Sequence, residues 1–179
     1  MSSKPIAYSL DAYSTAPIYG KGGADDRIAA LSKRTLILIR HAKCVKRKAW
    51  TGVEEMRPLT PRGVEEFEDI AERLAKVHSP GVILHSPLVR TKQTADILGD
   101  VADVAVQPCA ALSPLNGIFA ATAGILDCAG PTRTIAVVAH SDLLNALSGE
   151  LGVKTELPRG GVIVLRGRKV VWSADPKDE

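Results

Sequence analysis

Leu36-Ile37-Leu38-Ile39-Arg40-His41-Ala42 is a run of buried-type residues that ends in a cation and an imidazole. An apolar stretch of this length, β-branched and unbroken by polar residues, fits a strand covered on both faces. In open α/β sheets ligands gather at the carboxyl ends of such strands. Arg40 and His41 sit where that end should be. The same construction recurs at Thr134-Ile135-Ala136-Val137-Val138-Ala139-His140. Between the two copies, Ser86-Pro87-Leu88-Val89-Arg90-Thr91-Lys92-Gln93-Thr94 has the composition of a capped helix start with an arginine one turn in.

Outward from these segments the pattern alternates. A polar loop, residues 43–59, follows the first strand. Thr60-Pro61 has the N-cap and first-turn chemistry of a helix, and Val64, Phe67, Ile70, Ala71, Leu74 and Ala75 recur on one helical face. Residues 81–85 predict a second strand, with Ser86 capping a helix to about residue 98. A short strand is expected over 103–107, a helix over 117–128 and a core strand over 134–139. Ser141 is expected to cap a helix to about residue 151, and 162–166 with 169–172 to form a closing hairpin around Gly167. Strands alternating with helices imply an α/β fold, a three-layer α/β/α sandwich with a mostly parallel central sheet. Residues 1–33 are expected to form an N-terminal extension with a short helix at 25–32, a partly disordered tail or a subunit-packing arm or else a lid, and 34–179 the domain proper.

The arrangement Arg-His after a strand, Ser-Pro-x-x-Arg-x-x-Gln-Thr, and a late strand ending in His resembles the histidine phosphatase (phosphoglycerate mutase-like) superfamily. Arg57-Pro58-Leu59-Thr60 with Arg62-Gly63 is similar to its short SixA-type phosphohistidine phosphatases. The resemblance covers roughly residues 35–172. It implies His41 as the nucleophile that takes the phosphoryl group, Arg40 and Arg90 as phosphate clamps, and His140 as a second histidine at the phosphoryl group. It also implies a further phosphate contact from Arg57. The chemistry suits the residue types. Neutral imidazole attacks phosphorus, and guanidinium forks match phosphoryl oxygens while staying charged. Ser86, at the head of the arginine segment, is a candidate for substrate binding. His85, just before it, fits a packed strand end, and His78 a solvated helix end.

One element of the pattern is missing. Larger relatives carry a glutamate after the third strand to protonate an alkoxide leaving group, but Ala111-Leu112-Ser113-Pro114-Leu115-Asn116-Gly117 has no carboxylate. Asp142, Glu54 and Glu55 are the candidate substitutes. Imidazole leaves with a conjugate-acid pKa near about 6.5 and needs little help, so the gap favours a phosphohistidine substrate on a carrier protein. The alternatives are small phosphoesters or nucleoside diphosphates, or a phosphate-binding module without turnover. Lys46-Arg47-Lys48-Ala49-Trp50-Thr51-Gly52 supports the nucleotide alternative and is similar to histidine phosphatase domains that accompany Nudix hydrolases in some bacteria.

Composition sets the remaining expectations. A net charge of +3 with 4% aromatics provides no stacking platform for nucleic acid. No apolar run reaches the ~18 residues of a membrane span, and no secretory signal is visible. The three cysteines, Cys44, Cys109 and Cys128, show no paired spacing, which fits a reducing, cytoplasmic setting. No Cys/His spacing calls for a metal, and no cofactor is expected. Nothing in the sequence sets the oligomeric state.

Overall fold

The structure, a computed structural model, describes residues 24–176. Most of the N-terminal extension, residues 1–23, lies outside them, and with it the tail, arm or lid expected there. The elements in chain order are α1 (Ala24–Ser32), β1 (Thr35–Arg40), α2 (Pro61–Val77), β2 (Val82–His85), α3 (Val89–Ala102), β3 (Val106–Pro108), α4 (Ile118–Ala129), β4 (Thr134–Ala139), α5 (Ser141–Glu150), β5 (Val162–Arg166) and β6 (Lys169–Ala174). The six strands form one sheet in the order β3-β2-β4-β1-β5-β6. The run from β3 to β1 is parallel, and β5 and β6 add on antiparallel.

The period-two alternation of the strands splits the core between two faces. Leu36 and Leu38 of β1 and Ile135 and Val137 of β4 pack with Leu31, Ile125 and Leu144 from α1, α4 and α5. Ile37 and Ile39 point the other way, onto Phe67, Ile70 and Leu74 of α2 and Ala95 and Leu98 of α3. With helices on both faces, the α/β/α sandwich is as the strand and helix pattern implies. The expected apolar face of α2 is the buried one, and Thr60 caps that helix by accepting the Gly63 N–H at 3.0 Å.

One helix start and two expected serine caps differ from expectation. Helix α3 begins at Val89 rather than at Ser86, and its N-cap, Leu88, makes no side-chain hydrogen bond. Helix α5 starts with Ser141 as its first residue, after an N-cap His140 that likewise makes no side-chain cap. Neither serine caps a helix, because the sheet takes the chain first. The Ser86 N–H donates to the Val138 carbonyl at 3.1 Å, holding Ser86 at the strand tip. The backbone N–H groups at both helix starts therefore have no side-chain cap, an arrangement that favours anions.

The long loop after β1 is closed at its base. Cys44 bridges Leu59, and the Thr60 N–H donates to the Lys43 carbonyl at 3.0 Å. Gly63 allows this closure, since a Cβ there would lie 2.1 Å from the Lys43 carbonyl oxygen.

Candidate active site

Register brings the site together. β1 and β4 are paired in parallel with Arg40 opposite Ala139, so the next residue on each chain, His41 and His140, emerges side by side. The His41 N–H donates to the Ala139 carbonyl at 3.1 Å, and the two imidazole rings stand edge to face with centroids 5.3 Å apart. Behind them Gly160, at φ +82°, donates its N–H to the carbonyls of both Arg40 (3.1 Å) and His41 (3.0 Å). Left-handed backbone of this kind suits glycine.

His41 is buried, and its Nδ1 lies 2.9 Å from the Ala42 carbonyl oxygen. A carbonyl only accepts, so Nδ1 carries the proton and Nε2 keeps its lone pair. Burial pushes its pKa down to about 3; the Ala42 bond opposes this, and His140, Arg90 and Arg40 add to it. His140 is likewise pushed down to about 4, first by burial and then by Arg90 and Arg40. Both rings are therefore neutral at pH 7. His140 Nε2 shares a hydrogen bond of 3.2 Å with the hydroxyl of the fully buried Ser86.

The two arginines are anchored alike. Arg40 donates through Nη1 to the Leu157 carbonyl at 2.8 Å, and Arg90 through Nη1 to the Glu54 carbonyl at 3.1 Å. In both, Nε is buried and has no hydrogen-bond partner. Nε and Nη2 form the guanidinium edge that binds two phosphoryl oxygens at once. A buried donor left unpaired costs about 1–3 kcal/mol, and here two such donors sit on the arginines whose charges act on the neutral His41 imidazole. Arg90 is only 6% exposed and is the second residue of α3, where unpaired helix N–H groups also favour an anion.

Arg57 is placed differently. Its Nε contacts both Glu54 carboxylate oxygens (3.1 and 3.0 Å), Nη2 contacts Glu54 Oε1 (2.6 Å), and Nη1 donates to Cys44 Sγ (2.9 Å) and the Val45 carbonyl (2.7 Å). Every nitrogen of its guanidinium is engaged, which leaves no open edge for a phosphate. The hydrogen bond from Arg57 holds the Glu54 carboxyl below its usual range. Glu54 is thus ionised, a poor starting state for a proton donor. Glu55 is exposed. Asp142 is exposed, accepts from the Ser141 hydroxyl at 3.3 Å, and borders a cavity of about 470 Å³ that also touches Arg40, Asn145 and Glu156. A larger cavity, about 670 Å³, lies at the far end of α3 among Asp96, Asp100 and Asp103 and contains none of the site residues.

Several contributors were not singled out from the sequence. Thr94 Oγ1 accepts the Ala42 N–H at 3.0 Å, and Gln93 Oε1 accepts the Leu59 N–H at 2.8 Å, so the segment carrying Arg90 also fixes the loop carrying His41. Both residues stand in the quoted segment, yet nothing local announces their partners, 52 and 34 residues away. The Leu157 and Glu54 carbonyls have no side-chain signature at all. His85 is buried with Nδ1 2.7 Å from the Ser86 carbonyl oxygen, a packed strand end, and His78 stacks edge to face on Trp172 at 6.4 Å. All three cysteines are free thiols. Among the described residues no group of His, Cys, Asp and Glu is placed to hold a metal ion, and no helix is long and apolar enough to cross a membrane.

The family model of the histidine phosphatase superfamily (branch 1) matches residues 36–116. No curated protein sequence matches the chain. Among solved structures, the chain is similar to SixA from Agrobacterium tumefaciens, with 19% identity, TM-score 0.70, and 80% of this chain and 99% of that one covered. It is similar to the protein histidine phosphatase SixA complexed with tungstate at 20% identity and TM-score 0.67, covering 79% and 97%. A mycobacterial glucosyl-3-phosphoglycerate phosphatase follows at 18% identity and TM-score 0.56, covering 73% and 89%. At these identities the likeness is one of fold.

Proposed function

We propose that this chain, a member of the histidine phosphatase superfamily, hydrolyses a phosphoryl group through a phosphohistidine formed on His41, and that its substrate is phosphohistidine on a protein. The observation that carries the reading is the pair of arginines, each tied back through Nη1 with a buried Nε unpartnered, close enough to act electrostatically on a histidine whose Nε2 holds a lone pair. That combination suits a tetrahedral dianion and an in-line attack on it.

In the first step the His41 Nε2 lone pair forms the new P–N bond. The bond to the leaving group breaks, and its electron pair stays on the leaving atom. Arg40 and Arg90 take the charge that spreads over the equatorial oxygens. In the second step water attacks phosphorus, the bond to His41 breaks, and the pair returns to Nε2 while the water proton passes to phosphate or solvent. His140 and Ser86 share one hydrogen bond, which leaves the pair one proton to donate to a phosphoryl oxygen. This division of labour assigns charge neutralisation to arginines, so the reaction is metal-independent and takes no cofactor.

The choice of substrate rests on protons. Glu54 is ionised by Arg57, and the 111–117 loop offers no carboxylate, which leaves exposed Glu55 and, at the cavity beside Arg40, Asp142 and Glu156 as the remaining carboxylates. An imidazole leaving group tolerates that shortage far better than an alkoxide. Residues 34–179 are the catalytic domain in this reading and residues 1–33 an extension, whose described part buries Leu31 in the core. Free thiols fit a cytoplasmic setting.

A second reading, hydrolysis of nucleoside diphosphates, has its own support. Trp50 is held by its Nε1–H on the Val53 carbonyl at 2.9 Å and packs on Gly52, where a Cβ would lie 2.8 Å from the ring. Lys46, Arg47 and Lys48 are exposed beside it, so a fixed indole and cations share one loop. The deciding experiment is phosphate release by wild type and His41→Ala, in EDTA, from a phosphohistidine carrier protein, p-nitrophenyl phosphate and nucleoside diphosphates. His41-dependent preference for the carrier is the expected result. Preference for a nucleotide selects the second reading. Absence of any turnover would leave a phosphate-binding module.

A further inference from the structure

Glu54 is one of three candidate substitutes for the missing proton donor, and the resemblance implies a phosphate contact from Arg57; their geometry suits a different task. Glu54 sits on a single 3₁₀ turn, Glu54–Met56, in the long loop after β1. Its carboxylate meets three guanidinium groups: Arg57 through two nitrogens at 2.6–3.1 Å, Arg47 Nε at 3.2 Å, and Arg90 Nη1 at 3.4 Å. Its own carbonyl takes the Arg90 Nη1 proton at 3.1 Å. One residue thus grips the same corner of Arg90 twice, with main chain and side chain, and leaves the Nε/Nη2 edge unengaged. Arg57 in turn is pinned by the Val45 carbonyl and Cys44 Sγ, at the closed base of the loop.

We infer that Glu54 is a positioning residue for Arg90: clamped by Arg57, it fixes the rotation of the Arg90 guanidinium so that the Nε/Nη2 edge meets the equatorial oxygens of the transferring phosphoryl group. The inference rests on the reading of Arg90 as a phosphoryl ligand. Its physical content is preorganisation. A buried fork already turned to the transition state needs no reorganisation when charge develops. An arginine without that grip has rotamer entropy to lose instead.

The position also separates orientation from simple charge. A carboxylate near the site repels any anion, so Glu54→Gln by charge alone strengthens binding of ground-state anions. Loss of orientation instead weakens binding of a trigonal-bipyramidal mimic, which needs the fork in place. The two effects part in a ratio.

The test is calorimetric binding of orthovanadate and of inorganic phosphate to the full chain, as wild type, Glu54→Gln, Arg57→Lys, Arg90→Ala and His41→Ala. The ratio of two dissociation constants depends neither on turnover nor on the folded fraction of a variant, since that fraction scales both alike. The ratio of vanadate to phosphate dissociation constants is expected to rise about tenfold in Glu54→Gln, the worth of one charge-assisted hydrogen bond, and to rise likewise in Arg57→Lys. A ratio that stays unchanged or falls in both variants overturns the inference. So does loss of turnover in Glu54→Gln confined to esters with poor leaving groups, which is the mark of a proton donor. If wild-type vanadate binding is absent, or indifferent to both Arg90→Ala and His41→Ala, the proposed phosphatase site itself fails and takes this inference with it. If binding depends on Arg90 and His41 but not on Glu54, only the positioning role is lost.

Discussion

Replacing Arg90 by methionine separates what this residue does for the fold from its proposed role as a phosphate ligand. Arg90 is 6% exposed, with a charge-assisted bond to the Glu54 carbonyl at 3.1 Å, a longer contact of the same Nη1 with the Glu54 carboxylate at 3.4 Å, and an unpartnered buried Nε. Losing the bond costs about 1.5–3 kcal/mol, and removing the unpaired donor returns about 1–3 kcal/mol. Methionine fills the space of the aliphatic stem with flexible apolar atoms. The Glu54 carboxylate keeps Arg57 and Arg47 as partners, so no bare charge is left behind. The two contributions offset to within about 2 kcal/mol. For a domain of this size the melting temperature therefore moves by less than about 8 °C. Activity is another matter, because a preorganised donor at a developing anion is commonly worth about 10²–10³ in kcat. Ligand protection adds a check that needs no turnover. At one hundred times its dissociation constant vanadate stabilises wild type by about 2.7 kcal/mol, roughly 5–10 °C, and leaves Arg90→Met unprotected. Differential scanning fluorimetry with and without vanadate, beside phosphate-release assays, reads all three quantities. A variant that fails to fold would show that Arg90 holds the structure rather than a ligand. A variant that still gains the full vanadate shift would show that Arg90 does not touch the phosphoryl group.

Acid should destabilise the fold through the histidine pair. His41 and His140 are held near 3 and 4, below the imidazole value of 6.5 in the unfolded chain, so their stability contribution is full above pH 6.5 and is lost as pH falls towards those folded values. Between pH 6 and 4 each histidine contributes a slope of up to about 1.4 kcal/mol per pH unit, and His41→Gln should flatten the melting-temperature profile there; an unchanged profile would refute the burial argument. Gly63→Ala places a Cβ 2.1 Å from the Lys43 carbonyl; a cost of about 1–3 kcal/mol is expected, with lowered activity as the loop shifts, and denaturant titration against wild type checks it. Turnover should persist undiminished in EDTA, and loss on chelation restored by a divalent ion would contradict an arginine-based clamp.

The strand tips were legible early because their signal is local. An unbroken apolar run ending in Arg40-His41, and another ending in His140, mark buried parallel strands wherever they fall in a chain, and the apolar period of residues 64–75 marks a helix. Thr60 and Pro61 specify the start of that helix by chemistry confined to four residues. The serines misled for the converse reason. Ser86 and Ser141 have cap chemistry, but strand pairing to Val138 held Ser86 at the sheet and turned its hydroxyl to His140.

Roles within the site depended on partners far away in the chain. Motif placed Arg40, Arg57 and Arg90 together, and only the fold separated an arginine saturated by Glu54, Cys44 and Val45 from two with a buried edge unpartnered. Leu157 anchors Arg40 across 117 residues with a carbonyl that every residue possesses. Sequence therefore determined which side chains could do phosphoryl chemistry and on which elements they stand, since propensity and periodicity act over a few residues. Tertiary structure decided which of them keep an open donor, which proton the imidazole of His41 retains, and which carboxylate is ionised, because hydrogen-bond satisfaction and burial are properties of surroundings assembled from the whole chain.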